Sequence, residues 1–223
     1  MITGSSNRES FREQFTDYRQ WVLGMASGIA TRYLSGLPES KLTDPAVVVL
    51  DEASRFVIPL LGGHEAGANA LAYRVSEVTG AIPAITTATE ALKPLVVGIG
   101  CRRGVTEAAI DSAIRNALPK DRRIDEIREL ATIDLKADET AIRTWSEVHE
   151  IPLRVISREQ IEGRPWATEP SEWVESNIGV SGVCEPAALI ASPRSQLVVP
   201  KTSFNGVSVA MVEDFGAEAR PEH

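Results

Sequence analysis

Phe56-Val57-Ile58-Pro59-Leu60-Leu61-Gly62-Gly63-His64 starts as an apolar run, breaks on two glycines and then presents a histidine. The apolar part reads as a strand and the glycines as its end. Downstream, Leu71, Ala72, Val75 and Val78 recur at helical spacing, and Gly80 closes the helix. Ala81-Ile82-Pro83-Ala84-Ile85-Thr86-Thr87 reads as a second strand. Strand, helix and strand at this length make a βαβ unit, whose crossover brings the two strands side by side and parallel. His64 then lies between a strand's carboxyl end and a helix's amino end. Open α/β sheets bind ligands there, because free helix amides and the helix dipole favour anions and glycines let a ligand approach the backbone. The bland use of such a histidine is a bond to a neighbouring carbonyl, and position alone leaves both uses open. Asn69 and Glu65, on the same connection, are placed to orient the ring or cap the helix.

Working outward, Ala46–Leu50 and Phe56–Leu61 form a hairpin around the polar turn Asp51–Arg55, with Pro59 favouring an edge or a strand end. Phe11, Phe15, Tyr18 and Val22 predict a helix capped by Ser10 and ended by Gly24 and Gly28. The second half repeats the grammar. Leu95–Gly100 is a buried strand, Cys101–Gly104 a loop, and Thr106 caps a helix with Ile110, Ile114 and Leu118 on one face. Gly98, Gly100 and Gly104 give GxGxxxG, one residue longer than the dinucleotide fingerprint, with no acidic partner about 20 positions on, so a nucleotide reading is weak. Arg102 and Arg103 in that loop suit bidentate carboxylate binding, unless they are merely adjacent surface arginines.

A helix over 124–130 leads to a strand at Ala131–Leu135, a helix with Ile142, Trp145 and Val148, and a strand at Pro152–Ile156. Lys136 falls past a strand end beside Glu139, either as a site cation or as half of a solvated ion pair. Residues 161–175 read as a mobile cover. Residues 180–189 place Glu185 near a helix start, and 195–212 form a hairpin with Lys201 at its turn. The whole predicts two α/β domains with mixed, mostly parallel sheets in a three-layer α/β/α arrangement. Their expected extents are 1–93 and 94–217, followed by a disordered tail, 218–223.

The 223 residues suffice for two small cores, and a net charge of -8 argues against nucleic acid or an anionic membrane as partner. An anionic ligand therefore needs a local basic pocket. No apolar run approaches the roughly 20 residues of a membrane helix, and the first fifteen residues are too polar for a secretory signal, so a cytoplasmic protein is expected. Cys101 and Cys184 are too few and too far apart for a disulfide framework or a zinc cluster, and both read as thiols.

Taken together, these motifs resemble the cobalamin biosynthesis protein G family (CbiG, cobalt-precorrin-5A hydrolase), whose C-terminal domain also exists alone as CobE. The likeness rests on residues 28–32, 41–52, 60–69, 85–90, 98–104, 133–139, 182–189 and 200–202. Full-length members carry an extra N-terminal strand-helix segment and a middle domain, whereas here Glu90 and Leu95 nearly adjoin, so the chain reads as a short form. The resemblance implies opening of the δ-lactone of cobalt-precorrin-5A with release of acetaldehyde, giving cobalt-precorrin-5B. It implies no cofactor and no protein metal site, since cobalt arrives inside the substrate. His64, Lys136 and Glu185 are the implied catalytic set. Gly62, Gly63, Asn69, Arg102, Arg103 and Lys201 are the implied binding residues, with glycine-loop amides for the oxyanion and cations for the ring's carboxylates. The implied partner is an anionic tetrapyrrole intermediate. A homodimer is the base-rate expectation, and other enzymes of the pathway are candidate partners. A non-catalytic carrier of corrinoid intermediates is the alternative, and a nucleotide-binding protein a weaker third.

Overall fold

A computed structural model describes residues 7–162 and 183–214. It divides into two compact units, Met1–Glu90 and Ala91–His223. The first contains α1 (Asn7–Gln14), β1 (Gln20–Gly24), α2 (Ser27–Leu34), β2 (Ala46–Leu50), β3 (Phe56–Leu61), α3 (Ala68–Thr79), β4 (Ile82–Pro83) and most of α4 (Ala88–Ala91). Its sheet runs β1-β2-β3-β4, with β1/β2 and β3/β4 parallel and β2/β3 antiparallel. Alternation along β2 explains the layers. Val47 and Val49 pack with Phe11, Phe15, Ala30 and Leu34 under α1 and α2, while Ala46 and Val48 pack with Leu71 and Ala72 of α3. A strand covered on both faces has to read as an unbroken apolar run.

The helix expected over Phe11–Val22 stops at Gln14, with Ser10 inside it, and Gln20–Gly24 is a strand paired with β2. Tyr18 and Val22, expected on the inner stripe, are exposed; ladder pairing with β2 outweighs the helical spacing. Gly28 lies inside α2 instead of ending a helix. Val78 is 86% exposed, because the inner face of α3 follows Ala68, Leu71, Ala72 and Ser76. Of Ala81–Thr87 only Ile82 and Pro83 join the sheet. Pro59 is accommodated as its chemistry requires. β4 pairs only with Phe56 and Val57, leaving β3 an edge at Pro59, and the β2/β3 register shifts opposite it.

The second unit contains β5 (Leu95–Cys101), α5 (Glu107–Ala117), β6 (Ile127–Ile133), α6 (Thr140–Val148), β7 (Leu153–Ile156), α7 (Arg158–Glu162), α8 (Cys184–Ala191), β8 (Gln196–Phe204) and β9 (Val207–Glu213). Strand order is β7-β6-β5-β9-β8, parallel on the β7-β6-β5 side and antiparallel on the other. Val97 and Ile99 face α5 and α6 through Ile110, Ile114, Ile142 and Trp145, while Val96 and Ala131 face α8 through Ala187 and Ala188. Both units are thus three-layered, and the mixed α/β class read from the sequence holds. At Gly98, a Cβ would stand 1.7 Å from the Cys184 carbonyl oxygen, so α8 sits directly on the backbone of β5.

The expected helix over 124–130 is only a 3₁₀ turn, Ile124–Glu126, with β6 beginning at Ile127. Its residues pair with strands on both sides, and that pairing outweighs local helical preference. Val148 is exposed. Lys201 lies inside β8, and the hairpin turns at Asn205-Gly206, both with positive φ (48° and 81°), the residue pair such a turn demands. Of the cover expected at 161–175 only Ile161 and Glu162 are described, closing α7; the tail at 218–223 also lies outside the described residues.

Candidate functional site

In the second unit, β5 and β6 end on a cavity of about 670 Å³. Ile133, Leu135, Val183 and Phe204 give it apolar walls, and Arg102, Arg103, Lys136 and Lys201 bring four cations to it. The arginines come from the β5–α5 loop, Lys136 from the 3₁₀ turn Asp134–Lys136 after β6, and Lys201 from β8. Among the described residues none of these four side chains has a hydrogen-bond or ion-pair partner. Unpaired cations beside an apolar wall favour an apolar ligand with peripheral carboxylates.

The cations are held through their main chain. Arg102 N–H donates to Gly206 O at 2.9 Å. Gly104 N–H donates to Glu139 Oε1 at 2.9 Å, and Lys201 N–H to Glu185 Oε1 at 2.7 Å. The salt bridge considered between Lys136 and Glu139 is therefore not what Glu139 makes. Thr106 Oγ1 accepts from Ala109 N–H, capping α5 as its position implied. Cys101 and Cys184 also line the cavity and are free thiols. Burial pushes the Cys101 thiol up, with Glu139 adding to the effect and Lys136 opposing it. Burial pushes the Cys184 thiol up to about 11. Neither is a ready thiolate at neutral pH.

In the first unit, the Gly62–His64 loop is tightly packed. Gly62 has φ +69°, and a Cβ there would stand 2.5 Å from the Ala66 Cβ. A Cβ on Gly63 would meet Thr87 Cγ2 at 2.8 Å and Asn69 Oδ1 at 3.2 Å. The first amides of α3 are not free for a ligand, since Ala68 N–H donates to Gly62 O at 3.0 Å and Asn69 N–H to Gly63 O at 2.9 Å. The amides of Gly63 and His64 have no partner among the described residues. Asn69 neither caps α3 nor orients His64. Its Nδ2 donates to Thr87 Oγ1 at 3.0 Å, and its buried Oδ1 has no partner. Glu65 pairs with Lys41 at 3.3 Å; its own amide, then Lys41, holds its carboxyl below the ordinary value. The His64 ring is exposed and accepts or donates no hydrogen bond among the described residues.

The expected residues thus fall into two groups. Arg102, Arg103, Lys136 and Lys201 share the cavity, with Glu185 behind Lys201, and Gly62, Gly63, His64 and Asn69 share the loop. Sequence reading passed over Thr87 and the use of Glu139. Each bonds a partner 18 or 35 residues away, and no local pattern signals that. Among the described residues, no group of three or more His, Cys, Asp or Glu is gathered to hold a metal, and no helix is long and apolar enough to cross a membrane.

Comparison with known proteins agrees with this division. The cobalamin synthesis G N-terminal model matches residues 9–90 and the cobalamin synthesis G C-terminus model residues 95–212. Cobalt-precorrin-5A hydrolase of Salmonella typhimurium is 33% identical over 181 residues, covering 66% of this chain and 51% of that protein. The enzyme of the same name from Priestia megaterium is 28% identical over 210 residues, covering 93% of this chain and 47% of the relative. Protein CobE of Sinorhizobium sp is 30% identical over 113 residues, covering 50% of this chain and 73% of CobE. The chain spans about half the length of the two hydrolases. With both regions matched in order along its length, the chain belongs to the cobalamin synthesis G family.

Proposed function

We propose that this chain acts in cobalamin biosynthesis in the cytoplasm as a cobalt-precorrin-5A hydrolase. Its substrate is an anionic tetrapyrrole that carries its own cobalt. The observation that carries the reading is the cavity at the strand ends, whose four unpaired cations offset a net charge of -8 where a polycarboxylate would bind. In the reaction, water adds to the lactone carbonyl carbon, the ring C–O bond breaks, and a hydroxyl is released. That hydroxyl gives up its proton as the adjacent carbon–carbon bond breaks, expelling acetaldehyde and leaving a ring carbon to be protonated. His64 is the base that takes the proton from water, and the amides of Gly63 and His64 donate to the oxyanion. Arg102, Arg103 and Lys201 bind carboxylates, and Lys136 is the ammonium assigned to protonation.

A second reading is a carrier that holds the intermediate without turning it over. It is favoured by one observation: among the described residues, those lining the cavity all belong to the second unit and none is a histidine. Incubating the purified chain with cobalt-precorrin-5A and assaying acetaldehyde decides between the two. Release in step with substrate loss is expected, whereas tight binding without acetaldehyde would establish the carrier.

A further inference from the structure

Two carboxylates stand beside the cavity's cations without neutralising them. Glu139 caps the start of α6, its carbonyl accepting from Ile142 N–H at 3.1 Å and Arg143 N–H at 3.3 Å. Ile142 and Trp145 of that helix are fully buried, so the backbone of Glu139 is fixed by the core. From there its side chain accepts from Gly104 N–H, and its own N–H donates to Lys136 O at 3.2 Å. One residue therefore ties the arginine loop to the Lys136 turn. The other end of the arginine loop is held by the hairpin, through Arg102 N–H and Gly206 O, and the Arg102 methylenes lie 3.4 and 3.7 Å from where a Gly206 Cβ would be. Glu185 does for Lys201 what Glu139 does for the arginines.

We infer that Glu139 and Glu185 are positioning residues for anion recognition. Each engages a backbone amide next to a cation, so the loop is fixed while the cationic side chain stays unpaired toward the cavity. A carboxylate that met the cation directly would compete with the ligand; one that holds the main chain orders the loop before binding and lowers the ordering entropy paid on association. This assignment rests on the proposed binding of a polycarboxylate tetrapyrrole in the cavity. It removes Glu185 from the set of proton-transfer groups.

The test uses the full chain and uroporphyrin I, a stable tetrapyrrole bearing acetate and propionate groups, with binding read by fluorescence. Glu139→Asp keeps the charge and the helix cap but shortens the reach to Gly104; Glu139→Gln keeps the reach and loses the charge. Positioning predicts that Asp weakens binding about tenfold, the scale of one lost hydrogen bond to a charged group, while Gln stays within about twofold of wild type. The Glu185→Asp and Glu185→Gln pair should behave alike. In a variant already carrying Arg102→Ala and Arg103→Ala, Glu139→Asp should cost nothing further, because it acts through those arginines. Loss with Gln and retention with Asp, or an undiminished effect without the arginines, would overturn the inference. Failure of the wild-type chain to bind uroporphyrin would instead overturn the cavity reading on which it rests.

Discussion

At the residue scale, His64 offers the sharpest separation of roles. Its ring is exposed and bonds no carbonyl among the described residues, so His64→Ala is expected to leave the melting temperature within about 1 °C, as for a surface substitution. Acetaldehyde release should fall about 10²- to 10⁴-fold, the usual loss on removing a general base. Full turnover per folded molecule would remove His64 from the mechanism. Gly98 and Gly100 make a second pair of opposites. An alanine at 98 would drive its Cβ into the Cys184 carbonyl, which as backbone cannot swing aside, whereas at 100 the nearest atom is Val183 Cβ at 3.5 Å. Gly98→Ala should cost about 3 kcal/mol in chemical denaturation, the upper end for overpacking, and Gly100→Ala less than about 1 kcal/mol. The glycines themselves were plain in the sequence. Which of them a neighbour requires was not, because the atom that decides it is on a helix 86 positions further on.

At the element scale, the Cys101–Gly104 loop is expected to act through charge alone. Arg102 and Arg103 are exposed and carry no ion pair among the described residues, so alanine at both should weaken tetrapyrrole binding and flatten its salt dependence. Thermal stability should barely move; a large drop in melting temperature with unchanged affinity would mark the arginines as structural. The loop was legible because its parts are local: a strand end, two arginines, a glycine and the Thr106 cap. Elements defined by their partners were less legible. β1 carries the spacing of a helix yet pairs with β2, β6 begins inside the span whose sequence predicts a helix, and Lys201 belongs to a strand whose length is set by β9. Apolar periodicity reports a face; it does not report which neighbour claims it. The same limit applied to the site, where residue types at strand ends were readable but the amides engaged by Glu139 and Glu185 were not.

At the scale of the whole molecule, two α/β units follow from strand-helix alternation, and each needs its helices to close two faces of a sheet. The core also makes stability depend on alkali. The folded state holds the Cys184 thiol neutral up to about 11, while in the unfolded chain it ionises near its ordinary value of 9.0. The raised value means its contribution is complete below the unfolded value and is lost as pH climbs from there through the folded one, on the order of 2–3 kcal/mol. Denaturation midpoints across that range should fall for the wild type and fall less for Cys184→Ala; parallel curves would assign the loss to other groups. β8 is an outer strand of nine residues, long enough to recruit a strand from another molecule, but it carries Pro200, Lys201 and two breaks of register against β9. These interruptions spoil the flat, fully hydrogen-bonding rim from which edge-to-edge aggregates grow. The irregularity around Lys201 therefore also disfavours pairing with a strand of another molecule, and straightening this strand to strengthen the fold would work against that protection.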